Sequence, residues 1–282
     1  MPNVGQLLAA SGLPRHEAQS LLARLTGMDR VAQIAHPERV LAADQCVRLE
    51  ALFARRRSGE PLAYILGERE FWGLRFKITP AVLIPRAETE LLVALALERL
   101  PAAAAAGVLD LGTGSGVVAV ALAHERPRAS VTAVDISEPA LAVARENARC
   151  HGVQVSFVRS HWFSALAGEG RCKFDLIAGN PPYIAETDPH LARGDLPHEP
   201  RGALASGPDG LSDLGHIVAQ APQYLLAGGW LLLEHGFDQG PACRDLFHRA
   251  GLCSVQTWPD LAGLPRVTGG CVSRADALTE RR

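Results

Sequence analysis

Val108-Leu109-Asp110-Leu111-Gly112-Thr113-Gly114-Ser115-Gly116 runs straight into the apolar stretch Val117 to Ala123. An apolar strand thus enters a glycine-rich turn and leaves as a helix, the opening unit of a parallel sheet wrapped by helices. Glycine lets the backbone bend sharply and come close to a ligand, and the start of the next helix offers unpaired N–H groups. The spacing is G-x-G-x-G and departs from the G-x-G-x-x-G that fits a dinucleotide pyrophosphate. A second strand, Ser130 to Val134, ends in Asp135. That acid stands about where an acidic residue meets ribose hydroxyls in mononucleotide-binding halves. Gly112, Thr113, Gly114, Ser115, Gly116 and Asp135 are therefore the candidate contacts to a nucleoside cofactor.

Outward from this unit the rhythm continues. Strands are expected at about 108–112, 131–135, 153–159 and 174–179, alternating with helices at about 87–100, 116–125 and 138–150. Residues 212–226 read as a helix interrupted at Pro222, 230–234 as a strand and 240–249 as a helix. Residues 186–210, rich in Pro, Gly and Asp, read as a long loop over the substrate. Before residue 70 the pattern differs: Val4 to Ala10, Arg15 to Leu25, Asp29 to Ala35 and Glu38 to Arg57 carry Leu, Ala and Val at helical spacing. Phe71 to Ile84 is short, apolar and β-like, with Gly73 and Pro80 as turns. The expected plan is a helical bundle over 1–70, a β-hairpin linker over 71–86, an α/β domain over 87–275 and a loosely ordered tail over 276–282.

Asn180-Pro181-Pro182-Tyr183 follows the apolar run Phe174 to Ala178, at the end of a buried strand. The two prolines fix the backbone of Asn180 and Pro181 and have no N–H of their own. What remains is mostly acceptors: the Asn180 side-chain carbonyl and the free backbone carbonyls. Two acceptors beside an aromatic face can grip a planar –NH2 group, taking both hydrogens while the ring packs on its plane. Asn180, Pro181 and Tyr183 are the candidate catalytic residues, and Pro182 joins them in the candidate substrate contact. The chemistry indicated is on an amide or amino nitrogen.

Together these features resemble the S-adenosylmethionine-dependent methyltransferases. Gly59-Glu60-Pro61-Leu62-Ala63-Tyr64-Ile65-Leu66-Gly67, Glu70-Phe71-Trp72-Gly73 and Leu83-Ile84-Pro85-Arg86-Ala87-Glu88-Thr89-Glu90 narrow the resemblance to the bacterial release factor glutamine methyltransferase family. So do Trp162-Phe163, Glu199-Pro200, Asp209-Gly210-Leu211 and Leu233-Glu234-His235-Gly236. The resemblance implies a Rossmann-like methyltransferase fold: a mostly parallel seven-stranded sheet, closed by an antiparallel pair near 254–258 and 267–272, preceded by a helical bundle and a β-hairpin. It implies S-adenosyl-L-methionine as cofactor, S-adenosyl-L-homocysteine as product, Trp162 against the adenine ring and Asn180 at the edge of the cofactor. The implied substrate is the glutamine of the Gly-Gly-Gln motif in class I peptide chain release factors. One departure stands out: the family usually has an acidic residue ahead of the aromatic pair, where this chain reads Ser160-His161.

Composition fits a cytoplasmic enzyme, expected to be monomeric. The 282 residues exceed a typical single domain, and a hydrophobic content of 48% suffices for sizeable cores. No apolar run approaches the roughly 20 residues of a membrane span, and the start lacks a signal-type pattern. A net charge of −2 gives no footprint for direct nucleic-acid binding. Arg55-Arg56-Arg57 reads as a solvated helix end, or as a patch for an acidic partner. Six scattered cysteines without a C-x-x-C pair read as reduced thiols, and no metal is implied. Asp110 is expected to brace the glycine turn or orient a cofactor ammonium, Glu199 to support the substrate loop, and Glu234 and His235 to be a catalytic pair or structural groups. Other readings of the turn are an N6-adenine DNA methyltransferase, which would flip its base, a guanine-N2 RNA methyltransferase, and a non-catalytic cofactor-binding partner of release factors.

Overall fold

Asn3 caps the first helix from both sides: its side chain accepts from Gln6 N, and its own N–H donates to the Gln6 amide. That capping box starts α1 (Val4–Ala10), followed by α2 (Arg15–Thr26), α3 (Arg30–Ala35), α4 (Ala43–Arg57) and α5 (Leu62–Leu66) in a computed structural model that describes residues 2–167 and 173–274. The chain divides into two compact units, Met1–Glu68 and Arg69–Arg282. Val4, Leu21, Leu22, Leu49 and Phe53 fill the core of the first. Helix α4 begins at Ala43 rather than Glu38, because Val40 is drawn into an antiparallel bridge with Asn3 and Ala42, the residue before the helix, is extended. The arginine run is neutralised inside this unit: Arg55 pairs with Glu60, Arg56 with Glu17, and Arg57 with Glu50.

At the boundary of the two units stands a hairpin of β1 (Glu68–Phe71) and β2 (Leu74–Lys77), turned by Trp72 and Gly73, both at positive φ. Ile78, Val82 and Ile84 are buried as the alternation suggests, but they pack as irregular chain; Pro80 has no N–H with which to continue a ladder. Then follow α6 (Thr89–Arg99), β3 (Gly107–Leu111), α7 (Val117–Glu125), β4 (Ser130–Asp135), α8 (Glu138–Cys150), β5 (Val155–Arg159), β6 (Phe174–Gly179), α9 (Ser212–Gln220), β7 (Leu225–Glu234), α10 (Gly240–Arg249), β8 (Cys253–Pro259) and β9 (Pro265–Cys271). The sheet order is β5-β4-β3-β6-β7-β9-β8. The first five strands are mutually parallel and β9 alone runs against its neighbours. Helix α7 is buried from Val117 to Ala123, which explains an apolar run with no polar face.

Two boundaries differ from the sequence reading. The helix expected to reach residue 226 stops at Gln220, passes into a 3-10 turn at Ala221–Tyr224, and β7 already begins at Leu225. Pro222 withdraws a donor there, and Gly228-Gly229 lets the strand bulge between its Phe174 and Trp230 pairings. Strand β5 starts at Val155 because the Val153 N–H is spent on Ala148 at the end of α8. Residues 186–210 contain three short 3-10 turns, Pro189–Ala192, Leu196–His198 and Arg201–Ala203. Among the described residues no helix is long and apolar enough to cross a membrane. The tail expected over 276–282 lies outside the described residues.

Candidate active site

Strands β3, β4, β6 and β7 all present their carboxyl ends at one edge of the sheet, the place where open α/β sheets bind ligands. Asp110, 1% exposed, receives the Thr113 hydroxyl at 2.6 Å and the Ala119 N–H at 3.2 Å, so its carboxyl ties the glycine turn to the first turn of α7. Burial pushes its pKa up to about 7 against those two hydrogen bonds. This is the bracing role of the two that the sequence left open.

The turn itself depends on glycine. Gly112 sits at φ 67°, and a Cβ there would stand 3.2 Å from the Trp162 ring. Gly116 sits at φ 83°, and a Cβ would meet the Ala144 Cβ at 3.0 Å. The first glycine thus makes room for the indole and the last for helix α8. At the end of β4 the two oxygens of Asp135 accept from Gly114 N at 2.9 Å and Ser137 N at 2.8 Å, which locks the turn to the start of α8. Burial raises the Asp135 pKa, opposed by these N–H bonds. A carboxylate has about four acceptor positions, so Asp135 keeps capacity for a ligand hydroxyl.

Trp162 holds an unusual backbone for a large residue, φ 50°. Its indole N–H donates to Asp213 Oδ1 at 3.1 Å, and Asp213 Oδ2 in turn accepts from Ser206 at 2.7 Å. Ser160 bonds the Trp162 carbonyl at 2.8 Å and receives Ala165 N at 3.0 Å, fixing the bend that follows β5. A cavity of about 370 Å³ opens against this indole; Gly114, Asp135, Ile136, Asn180 and Pro182 share its wall. It falls in the size range of cofactor pockets, mostly apolar with two carboxylates in its lining, Asp135 and the Asp213 that holds the indole. That donor set fits a nucleoside: a flat apolar slot for a base and an acidic group for hydroxyls. His161 lines the same cavity. A smaller cleft, bounded by Arg86, Thr89, Asp110, Gly114, Ser115 and Asn180, adjoins it.

Asn180 lines both spaces, together with Leu83, Gly112 and Gly114. Its Nδ2 donates to the Thr89 hydroxyl at 3.2 Å. With the –NH2 end engaged, the carbonyl end is the half left to accept from a ligand. Tyr183 lies outside the cavity lining; its ring packs on the core and its phenol donates to Glu234 Oε1 at 3.4 Å. Pro181 is buried and also lies outside the lining. Glu234 is 1% exposed, and its Oε2 has no hydrogen-bond partner. Burial lifts its pKa to about 7, while the Thr89 hydroxyl, Arg266 and the phenol favour the charged form. His235 is fully buried between the Gly236 carbonyl and the Thr268 hydroxyl, both at 2.8 Å, and its position is structural.

Glu199 reaches back from the long loop: its carboxylate accepts Ile84 N at 2.9 Å and pairs with Arg86, so it supports the loop. Thr89 and Asp213 carry no role in the sequence reading. Each is one polar residue among others in the first turn of a helix, and only the tertiary partner reveals what it holds.

A seven-stranded sheet with a cofactor-sized cavity at its switch point is the architecture of the methyltransferase fold. A methyltransferase from Pyrococcus furiosus has the same fold, with a TM-score of 0.54 at 16% identity over 78% of this chain and 97% of that one. The Methyltransferase small domain family matches residues 87–197, and the PrmC N-terminal domain family matches residues 4–67. Similarity to curated relatives extends over nearly the whole chain. It is 50% identical to the release factor glutamine methyltransferase of Xylella fastidiosa (strain Temecula1) over 273 residues, 96% of this chain and 98% of that protein. The release factor glutamine methyltransferase of Escherichia coli (strain K12) is 46% identical over 264 residues, 93% and 94% of the two chains. The chain belongs to the family of release factor glutamine methyltransferases.

Proposed function

We propose that this protein methylates the side-chain amide nitrogen (N5) of the glutamine in the Gly-Gly-Gln motif of class I peptide chain release factors, in the cytoplasm and as a monomer. The observation that carries the reading is the carboxamide of Asn180, pinned by Thr89 at the junction of the two cavities with its carbonyl left as the acceptor. When bound, S-adenosyl-L-methionine supplies a sulfonium methyl group and leaves as S-adenosyl-L-homocysteine. Asp135 holds the ribose hydroxyls, the glycine turn from Gly112 to Gly116 gives close approach, and Trp162 packs on the base.

An amide nitrogen is a poor nucleophile because its lone pair is delocalised into the carbonyl. The Asn180 Oδ1 and the Pro181 carbonyl would accept its two N–H hydrogens and so favour a pyramidal nitrogen with its lone pair free to react; as the N–C bond forms the nitrogen becomes strongly acidic and gives up one of those protons to water, leaving a neutral secondary amide. Pro182 keeps that turn rigid, and Tyr183, tethered through its phenol to Glu234, backs it with an aromatic face. Positioning of this kind contributes several kcal/mol, up to about 7–11 in favourable systems. Residues 1–70 serve as a docking module for the release factor, with the 71–86 segment as the link to the catalytic domain.

Asn180→Ala tests this reading in single-turnover transfer to a release factor, measured beside cofactor affinity. The rate should fall by about 10²–10³, as for loss of one preorganised polar partner, with cofactor affinity retained. Transfer at the wild-type rate would make the turn a strand terminator only.

A further inference from the structure

Away from the site, β8 and β9 bring two cysteines into contact. Cys253 and Cys271 are direct Cα partners across this antiparallel pair, and their sulfurs lie 3.1 Å apart. Directly opposed residues of an antiparallel ladder have Cα separations of about 4.5–5.5 Å, inside the range a disulfide spans without backbone movement. Ser254, at φ 53° beside an irregularity of the ladder, sets the strand so that Cys253 meets its partner. Cys253 is exposed on the edge strand, and Cys271 is half-buried behind it. Cys46, Cys150 and Cys243 are free thiols as well.

We infer that Cys253 and Cys271 form a redox-active thiol pair, closed to an intramolecular disulfide by hydroperoxides and reopened by dithiols. Cys253, the exposed member, attacks the peroxide O–O bond as thiolate; it becomes a sulfenic acid, and water or an alcohol leaves. The Cys271 sulfur then displaces hydroxide from the sulfenic acid, the S–S bond forms, and the thiol proton leaves with it as water. Two electrons pass in all from the thiols to the peroxide. A dithiol reverses the bond by exchange through a mixed disulfide. Cys271 is suited to the resolving role: burial and the Cys253 thiol push its pKa up, so it is the poorer first nucleophile, and it needs no access to the oxidant. The pair stands at the Trp230 end of β9, away from the Glu234 end that borders the active site, so closure leaves the catalytic groups in place.

The test is oxidation of the full-length protein by hydrogen peroxide, with peptide mapping by mass spectrometry before and after dithiothreitol. The expected product is a Cys253–Cys271 cross-linked peptide that dithiothreitol abolishes, formed before cross-links to other cysteines. In C253S and C271S that peptide should be absent, and C271S should accumulate sulfenic or sulfinic acid at Cys253 instead. Recovery of both thiols unchanged in excess peroxide, or of Cys253 as sulfinic acid with Cys271 still reduced in the wild-type protein, would overturn the inference.

Discussion

On the proposed reading Thr89 sets which end of the Asn180 carboxamide meets the substrate, since its hydroxyl occupies the –NH2 end. Thr89→Val keeps the shape and removes the acceptor, leaving the amide free to turn over. The expected cost is about 1.4 kcal/mol, roughly a tenfold fall in the single-turnover rate, with cofactor affinity unchanged and the rate recovered in Thr89→Ser. Equal losses in the Val and Ser variants would show that the hydroxyl holds nothing. Glu234 carries a different signature, in stability. Its folded pKa of about 7 lies above the ordinary carboxylate value, so between the two values the folded state binds more protons than the unfolded chain. Its contribution is therefore fully present at acid pH below the unfolded value and is lost as pH rises through about 7. Asp110 acts in the same direction with a pKa of about 7. Melting temperatures of Glu234→Gln should fall less steeply than wild type between pH 5 and 8. Parallel profiles for the two proteins would mean that Glu234 is already charged across that range.

At the scale of elements, the glycine turn was legible because its requirement is local: a strand, positive-φ residues and a helix follow one another in sequence. Asp135 was legible for the same reason, one strand further on. Thr89 and Asp213 were not. Their partners, Asn180 and Trp162, stand 91 and 51 residues away, and no period or spacing encodes such a pairing. The hairpin was misjudged in extent because buried Ile78, Val82 and Ile84 mimic strand alternation, although Pro80 cannot join a ladder. Gly112→Ala tests the turn as an element. A non-glycine residue at φ 67° costs about 1–2 kcal/mol, and the added methyl presses on the Trp162 ring. Cofactor affinity measured by calorimetry should weaken about tenfold. Wild-type affinity would mean that indole and turn shift together without loss.

For the whole molecule, the two-unit plan was readable from the change of hydrophobic period near residue 70, and the boundary falls between Glu68 and Arg69. The docking role proposed for residues 1–70 follows from no motif within them. A chain beginning at Arg69 should keep its cofactor affinity and a cooperative melt, and should transfer methyl to a whole release factor at least tenfold more slowly than the full-length protein. Undiminished transfer by the shortened chain would remove the docking role. The central claim, that the acceptor is a glutamine amide in a release factor, is tested most directly by incubating the full-length protein with methyl-labelled S-adenosyl-L-methionine and a class I release factor, then mapping the label by tandem mass spectrometry. One methyl group on the side-chain nitrogen of the Gly-Gly-Gln glutamine, absent when that glutamine is replaced by alanine, is the result expected. Label on another residue, undiminished label on the alanine variant, or transfer to nucleic acid in place of the factor would contradict it.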